Sequence, residues 1–356
     1  MRSGWRGWPP DPAPTAFPER VNPSVRWHAI PLGCRLTFHR GPTLVPFPRR
    51  LAALLLAACT LLLAPLPGPL LASSPTDSHV LVLGRISDDP KTHYEQLKPL
   101  LDYVVPRMAD VGIREGRILM ARDVQQMSSY LRRGRVDWVT ETAATSTLLE
   151  QRGGARPLLL TERDGVSQYR TVFFARRDSG IRSLADLSGR AIAFQNPSST
   201  SAYYVPAAHL LERGLSLEIM VSPMDRPGPG AVGYVFARSE LNISTWVHKR
   251  LVDAGAMSNI DWHNPQRVPL AFRRDFTVIG ETPEYPRAVE MVRSTLDPRV
   301  EARLREVLVE AAGDPDAREA LLRFFRTTRF LPIDDAATRA LDHMGKGVQR
   351  IRAEVE

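Results

Sequence analysis

The chain has 356 residues, a formal net charge of +8 and a hydrophobic content of 43%, which excludes a protein that crosses the membrane many times. The positive charge is concentrated near the start, because residues 1–72 hold eight arginines and two acidic side chains. Removing these from totals of 47 and 39 leaves 39 basic and 37 acidic residues. A surface so close to neutral gives no reason to expect nucleic acid as a partner.

Residues 1–72 are predicted to be an N-terminal extension that ends in a signal or anchor segment. Leu51–Ala72 is a continuous apolar stretch that follows Arg49 and Arg50 and ends in small residues. This order predicts a secretory signal that is cleaved on export. The alternative is an uncleaved membrane anchor, but three prolines in the second half of the stretch would break its helix. Residues 1–48 lack any periodicity, and we expect the true start near Val45.

Cys34 and Cys59 are the only cysteines of the chain. Cys59 ends the sequence Leu56-Ala-Ala-Cys59, which matches a lipidation signal and would tether the protein to the membrane. The alternative is that Cys59 is one more small residue within the signal. After residue 72 there is no thiol, so disulfides, zinc–thiolate sites and cysteine nucleophiles are excluded from the exported part.

After residue 72 the apolar pattern alternates between short strands and amphipathic helices. Asp89 before Pro90 is typical of a helix start, and Gly112 is typical of its end. Strands are predicted at 79–86, 117–121, 136–139, 169–175, 191–194, 232–236 and 275–279. Helices are predicted at 90–112, 124–133, 206–213, 243–251, 300–311, 315–326 and 335–348. Such alternation predicts an α/β fold.

Motifs of catalysis and metal binding are scarce. The sequence has no G-x-S-x-G, H-E-x-x-H or P-loop pattern, and its histidines after residue 72 have no metal-ligand spacing. We therefore predict no catalytic residue, no metal and no cofactor, and a protein that is not an enzyme.

A hydroxyl cluster is the strongest candidate for a binding site. Ser199, Thr200 and Ser201 lie between the strand that ends at Phe194 and the helix that starts near Pro206. Hydroxyls and unpaired N–H groups at a helix start favour an oxyanion. The alternative is ordinary helix capping, for which one hydroxyl suffices.

Two other segments hold weaker candidates. Glu141 and Thr142 follow the strand at 136–139, and ligands of open α/β sheets collect beyond the carboxyl ends of strands. Thr142 is a candidate donor to the oxyanion, whereas Glu141 would need a cationic or protonated part of the ligand. Asp253 precedes Ala-Gly-Ala256 at a possible strand edge. The alternatives are a solvated loop for the first pair and a turn residue for Asp253.

Several of these segments together resemble the phosphate/phosphite/phosphonate-binding proteins of ABC transporters, from residue 79 to about 350. The matching segments are Val136-Asp-Trp138, Asp178-Ser-Gly-Ile181, Ser183-Leu-Ala-Asp-Leu-Ser-Gly189, Ser199-Thr-Ser-Ala-Tyr203, Val205-Pro206, Val252-Asp-Ala-Gly-Ala256 and Phe330-Leu-Pro-Ile-Asp334.

The resemblance implies a two-lobed periplasmic-binding-protein fold of type II with the ligand cleft between the lobes. Lobe 1 would begin with residues 73–170, lobe 2 would be residues 171–270, and residues 271–356 would cross back and pack on lobe 1. By resemblance, Ser199, Thr200 and Ser201 hold the oxyanion, Asp253 reads an amino end of the solute, and Tyr94 is a further contact.

The sequence also departs from the family pattern. Ala202 replaces the usual glycine after Ser-Thr-Ser, Thr140–Ala144 replaces an aromatic, glycine-containing stretch, and the second lobe has no clear counterpart of the family's histidine. The prediction is an exported, monomeric receptor that delivers a phosphate-, phosphite- or phosphonate-like anion to an ABC permease. The alternatives are a receptor for another small anion that feeds a sensor kinase, and an enzyme on the same fold.

Overall fold

The computed structural model describes residues 79–355. The predicted signal, the candidate lipidation site Cys59, the proposed start near Val45 and the boundary at residue 72 lie outside these residues. Across residues 79–355, none of the helices combines the length and the apolar character needed to cross a membrane.

The described chain contains fourteen strands and ten α-helices, joined by short 3₁₀ turns and one π-type turn. The strands are β1 (Val80–Ile86), β2 (Glu115–Ala121), β3 (Trp138–Thr142), β4 (Ala155–Arg163), β5 (Gln168–Tyr169), β6 (Thr171–Arg176), β7 (Ala191–Phe194), β8 (Ser216–Ile219), β9 (Ala231–Phe236), β10 (Ala254–Ser258), β11 (Phe276–Glu281), β12 (Tyr285–Pro286), β13 (Ala288–Arg293) and β14 (Thr327–Leu331). The helices are α1 (Pro90–Val104), α2 (Val124–Arg132), α3 (Ala143–Gly153), α4 (Val205–Glu212), α5 (Glu240–His248), α6 (Asn259–His263), α7 (Leu270–Arg273), α8 (Pro298–Glu310), α9 (Arg318–Arg323) and α10 (Asp335–Glu354).

Two six-stranded sheets form the two lobes. The sheet of lobe 1 has the order β14-β4-β13-β3-β1-β2, and the sheet of lobe 2 has the order β11-β6-β10-β7-β9-β8. In each sheet the βα-connected strands run parallel, while the strands next to the crossings, such as β13 and β6, run antiparallel to their neighbours. This is the two-lobed periplasmic-binding fold that the sequence predicts.

The chain crosses between the lobes twice. The outgoing crossing contains β5 and the return crossing contains β12, and these two short strands pair antiparallel with Tyr169 opposite Tyr285. The rings of these two tyrosines lie 4.7 Å apart. A two-stranded connection of this kind lets the lobes move as bodies while the crossing segments absorb the change in backbone angles.

Local sequence explains where the first helix begins and ends. Asp89 accepts a hydrogen bond from the backbone of Thr92, and Pro90 occupies the first helical position. Pro106 has no N–H to continue the ladder, so the segment predicted as one helix ends in a 3₁₀ turn, Val105–Val111. Gly112 closes that turn with a φ of 89°.

Two of the predicted boundaries differ from the structure. β11 pairs with β6, so lobe 2 continues past the predicted end at residue 270. The C-terminal helix α10 packs against α3 of lobe 1 and also against α4 of lobe 2, whereas the prediction placed it on lobe 1 alone. The cause is an apolar stripe, including Leu341, Met344 and Val348, that enters a core shared by both lobes.

Candidate functional site

The hydroxyl cluster lies at the start of a helix in lobe 2, at the carboxyl end of β7. Asn196 accepts hydrogen bonds from the backbone and the hydroxyl of Ser198, which folds the turn after the strand. Ser199 then caps the following π-type turn, Thr200–Tyr204, by accepting from the backbone N–H of Ala202. The chain therefore enters α4 with the Thr200 side chain directed out of lobe 2.

The facing part of lobe 1 is the start of α3. Thr142 is the last residue of β3 and stands at the N-cap of this helix, but its hydroxyl caps none of the helix's own N–H groups. Instead it accepts a hydrogen bond of 3.0 Å from the Thr200 hydroxyl. The backbone N–H of Ala144, in the first turn of α3, donates to the same Thr200 hydroxyl at 3.1 Å.

Thr200 is thus the point at which the two lobes meet. Its side chain is 3% exposed, and its oxygen accepts from one group of lobe 1 and donates to another. The N-terminus of α3 carries partial positive charge from its unpaired N–H groups. In the described conformation the Thr200 hydroxyl fills the acceptor position that this helix start offers.

Ser201 connects the cluster to the crossing segments. Its backbone carbonyl accepts from the Thr171 hydroxyl at 2.8 Å, and Thr171 in turn lies 2.8 Å from the hydroxyl of Tyr285. Burial raises the pKa of Tyr169 to about 12, although a hydrogen bond with Ser201 opposes this shift. Both tyrosines of the crossing therefore stay neutral and hold the floor of the cluster in place.

The structure brings together four of the seven residues predicted for the site: Ser199, Thr200, Ser201 and Thr142. Glu141 is buried behind the cluster, where it accepts from the backbone N–H of Ile86 at 2.8 Å and lies 3.9 Å from Arg85. Its carboxylate therefore joins β3 to β1 and is already occupied by partners within lobe 1.

The other two candidates lie apart from this cluster. Asp253 precedes β10 and accepts from the backbone N–H of Ala191, the first residue of β7. Because the hydroxyl cluster follows the carboxyl end of β7, Asp253 stands at the opposite end of that strand, away from the cluster. Tyr94 lies on α1 with 46% of its surface exposed, and it makes no hydrogen bond within residues 79–355.

The sequence prediction missed one group of the site, the backbone N–H of Ala144. It was missed because no helix was predicted at 143–153, where eight of the eleven residues are buried and no polar face is visible. The available signal was a threonine directly before two alanines after a strand, a common helix start. Within residues 79–355, no three acidic, histidine or cysteine side chains are close enough to hold a metal ion.

A family comparison bears directly on this arrangement. Residues 84–338 match the family model described as ABC transporter, phosphonate, periplasmic substrate-binding protein. The chain belongs to this family. The predicted family and the predicted fold are thereby confirmed, and the coarse function is that of a solute receptor.

Solved structures agree with this membership. XAC2383 from Xanthomonas citri, bound to chloride ion, is 57% identical, with a TM-score of 0.74 over 78% of this chain and 100% of that chain. The same protein bound to ATP is 56% identical over the same shares, again with a TM-score of 0.74. PhnD1 from Prochlorococcus marinus in complex with methylphosphonate shares the fold at 16% identity, with a TM-score of 0.54 over 77% of this chain and 100% of that chain.

Proposed function

We propose that the protein is a periplasmic receptor that binds a phosphorus oxyanion between the Thr200 turn of lobe 2 and the start of α3 in lobe 1. The single observation that carries this proposal is the bond from the Ala144 N–H to the Thr200 hydroxyl across the cleft. A helix start whose N–H donates to a neutral hydroxyl oxygen will donate more strongly to an anionic oxygen, because charge-assisted hydrogen bonds are roughly twice as strong as neutral ones.

Binding requires that the lobes separate first. An incoming oxygen takes the acceptor position at Ala144, and the hydroxyls of Thr142 and Thr200 then donate to the anion instead of to each other. Ser199 and Ser201 stand on either side of Thr200 and add further hydroxyls from lobe 2. Closure around the anion is favoured because both lobes then contact the same charge.

The class of anion follows from relatives and from the donor set. XAC2383, which is 57% identical, has been solved with chloride and with ATP, so an anion, including one that carries phosphate groups, fits this part of the family. The three consecutive hydroxyls of lobe 2 suit a tetrahedral group with several oxygens. The cluster contains no acidic side chain free to read an amino group, because Glu141 is engaged and Asp253 is distant.

Calorimetric titration tests this function. The purified protein is titrated with phosphate, phosphite, methylphosphonate, 2-aminoethylphosphonate, ATP and sulfate, at fixed chloride. We expect heat with at least one phosphorus oxyanion and an affinity at least tenfold lower in Thr142→Val, because a hydrogen bond to a charged group contributes about 1.5–3 kcal/mol.

Thr147→Val is the matched control, since the Thr147 hydroxyl lies nearby in α3 but bonds within its own helix, to the carbonyl of Ala144. Equal loss of affinity in both variants, or no heat with any phosphorus oxyanion, would contradict the proposal.

We further propose that the receptor acts as a monomer and delivers its solute to an ABC permease, as its family implies. Both halves of the cluster come from one chain, so a second copy is not needed to complete it. The test is stimulation of permease ATPase activity in vesicles by the receptor with its anion. Activation of a sensor kinase in the same assay, without activation of the permease, would support the alternative.

A further inference from the structure

Lobe 1 contains a polar pocket next to the point where both crossing segments leave the lobe. Its volume is about 520 Å³. Four arginines contribute to its lining, against the two acidic residues Glu95 and Asp164. The arginines are Arg163, Arg287, Arg323 and Arg326. The pocket therefore carries an excess of two positive charges.

Arg163 is the central side chain of this pocket. It is the last residue of β4 and only 8% exposed, yet its Nε and Nη2 atoms have no hydrogen-bond partner. Within residues 79–355 no carboxylate lies within ion-pair distance of it. Buried guanidinium nitrogens nearly always have acceptors, and each one that lacks an acceptor costs free energy. An unpaired, buried arginine at a pocket wall is the feature expected where an anion binds.

The surroundings of Arg163 add to this imbalance. Arg85 and Arg163 both place their guanidinium carbon atoms over the ring of Phe325, at 4.5 and 4.6 Å from its centre. Burial, followed by the charge of Arg85, lowers the pKa of Arg163 to about 10. It remains charged at neutral pH, and while Arg85 lies 3.9 Å from the carboxylate of Glu141, Arg163 has no such partner.

The charge of the buried acid Glu290 acts on Arg163, but the two side chains form no ion pair. Glu290 is completely buried, and both of its carboxylate oxygens accept hydrogen bonds from other groups. Their donors are the indole of Trp138 and the hydroxyls of Thr140 and Thr161. Burial raises the pKa of Glu290, which further weakens it as a counter-charge.

The backbone around the pocket is held in conformations that are unfavourable for these residues. Phe325 and Arg326 both have positive φ, at 53° and 57°, and Asp164 on the facing turn has a φ of 50°. Left-handed backbone is unfavourable for non-glycine residues and is concentrated at functional sites. Arg326 and Asp164 form an ion pair of 2.5 Å that joins the two strained turns.

We propose that this pocket binds a multiply charged oxyanion, namely a phosphate group, through the guanidinium groups of Arg163 and Arg287. Arg287 lies in the return crossing and donates to the backbone carbonyl of Arg163 at 2.7 Å, so both arginines belong to one framework. Guanidinium groups bind phosphate oxygens in pairs of parallel hydrogen bonds. The phosphate is either inorganic or the terminal group of a phosphate ester.

The site is separate from the hydroxyl cluster and does not depend on the function proposed for it. It lies within lobe 1 and its two crossings, and none of its lining residues belongs to the Thr142–Thr200 contact. A phosphate that bridges Arg163 and Arg287 would join the end of β4 to the return crossing.

Titration of the purified protein with inorganic phosphate and with ATP, at fixed chloride, tests the site. We expect a binding event that persists in Thr142→Val and is at least tenfold weaker in Arg163→Met and in Arg287→Met. Methionine keeps the apolar stem of arginine without its charge, and because Arg287 is only half-buried its variant does not disturb the core. The tighter of the two probes identifies the source of the phosphate group.

Arg299→Met is the matched control for charge, because that side chain is 84% exposed on α8 of the same lobe. Thermal unfolding provides a second readout. Phosphate should raise the Tm of the protein, and Arg163→Met should abolish this rise. Binding that is unchanged in both pocket variants, or binding that disappears in Thr142→Val, would overturn the proposal. If the hydroxyl cluster fails to bind anions, phosphate binding at the arginine pocket is still expected.

Discussion

The contact of Thr200 with lobe 1 makes a quantitative prediction about lobe closure. In Thr200→Val the shape of the side chain is kept, but the hydroxyl that joins the lobes is lost. The N–H of Ala144 then has no acceptor in the closed conformation. In the open conformation the same N–H faces water and is satisfied, so the substitution penalises the closed state alone.

The size of the effect follows from the cost of one buried donor without a partner, about 1–3 kcal/mol. Since 1.4 kcal/mol corresponds to a factor of ten, we expect the ratio of open to closed molecules to rise roughly 5- to 150-fold. The loss of the bond from Thr200 to the Thr142 hydroxyl adds little, because that hydroxyl can rotate to another partner. Thr145 is one such partner, at 3.4 Å.

Distance measurement between spin labels on the two lobes checks this prediction. One label is placed at Arg122→Cys in lobe 1, where the native side chain is 82% exposed. The other is placed at Val221→Cys in lobe 2, where the native residue is 98% exposed. Cys34→Ser and Cys59→Ser remove the native thiols. The distance distribution should gain a longer component in Thr200→Val and remain unchanged in Thr147→Val. The same distribution in all three proteins would refute the assignment of Thr200 as the closing contact.

Three further predictions test other parts of the structure. Glu290→Leu leaves three buried donors without their acceptor and should lower the free energy of unfolding in urea by about 3–5 kcal/mol, whereas Glu290→Gln should lose roughly 1 kcal/mol; equal losses would contradict the hydrogen-bond account. Gly347→Ala should lower Tm, because its Cβ would lie 2.8 Å from the Cβ of Ala208. Gly345→Ala should raise Tm slightly, since its tightest contact would be the end of the flexible Gln151 side chain at 3.2 Å. Burial, followed by the charge of Arg213, lowers the pKa of His209 to about 4, so the unfolded chain binds the extra proton first and stability should fall as the pH drops from about 6.5 to 4. His209→Gln should flatten this dependence in denaturation curves measured across that range.

Much of the fold could be predicted because caps and apolar periodicity agree with the final structure. The predicted strands at 79–86, 117–121, 191–194 and 232–236 correspond to β1, β2, β7 and β9. These are βα units in which a buried strand is followed by a turn and an amphipathic helix, so local pattern and tertiary environment require the same residues.

Two of the missed strands, β13 and β4, contain buried polar residues. β13 contains Glu290 within a run whose side chains are almost all buried, and β4 contains Pro157 and ends in the buried pair Glu162 and Arg163. From the sequence alone, each strand resembles an irregular polar segment, because the residues that bond to its polar side chains are not apparent. Those partners come from distant parts of the chain, more than a hundred residues away for Glu290.

The candidate site shows the same division between local and distant information. The cluster from Ser199 to Ser201 is visible in the sequence because capping residues are local signals. Asp253 was assigned to the site by resemblance. In the structure β7 and β10 run parallel, which places Asp253 beside the first residue of β7, whose N–H donates to its carboxylate. Which end of a sheet a residue occupies is set by topology, and no short motif reports it.

The polar residues of lobe 1 are arranged along its strands in a way that stability alone does not explain. On one face of the sheet, β1 presents Leu81 and Leu83, which enter the core beneath α1. The next side chain on that face is Arg85, because successive residues of a strand alternate between faces. β4 shows the same change, from Leu159 in the core to the buried but unpaired Arg163. A sheet edge that only had to pack would continue with apolar residues, since burying unpaired charge costs free energy. The change occurs at the carboxyl end of both strands, where Arg163 lines the pocket proposed to bind phosphate.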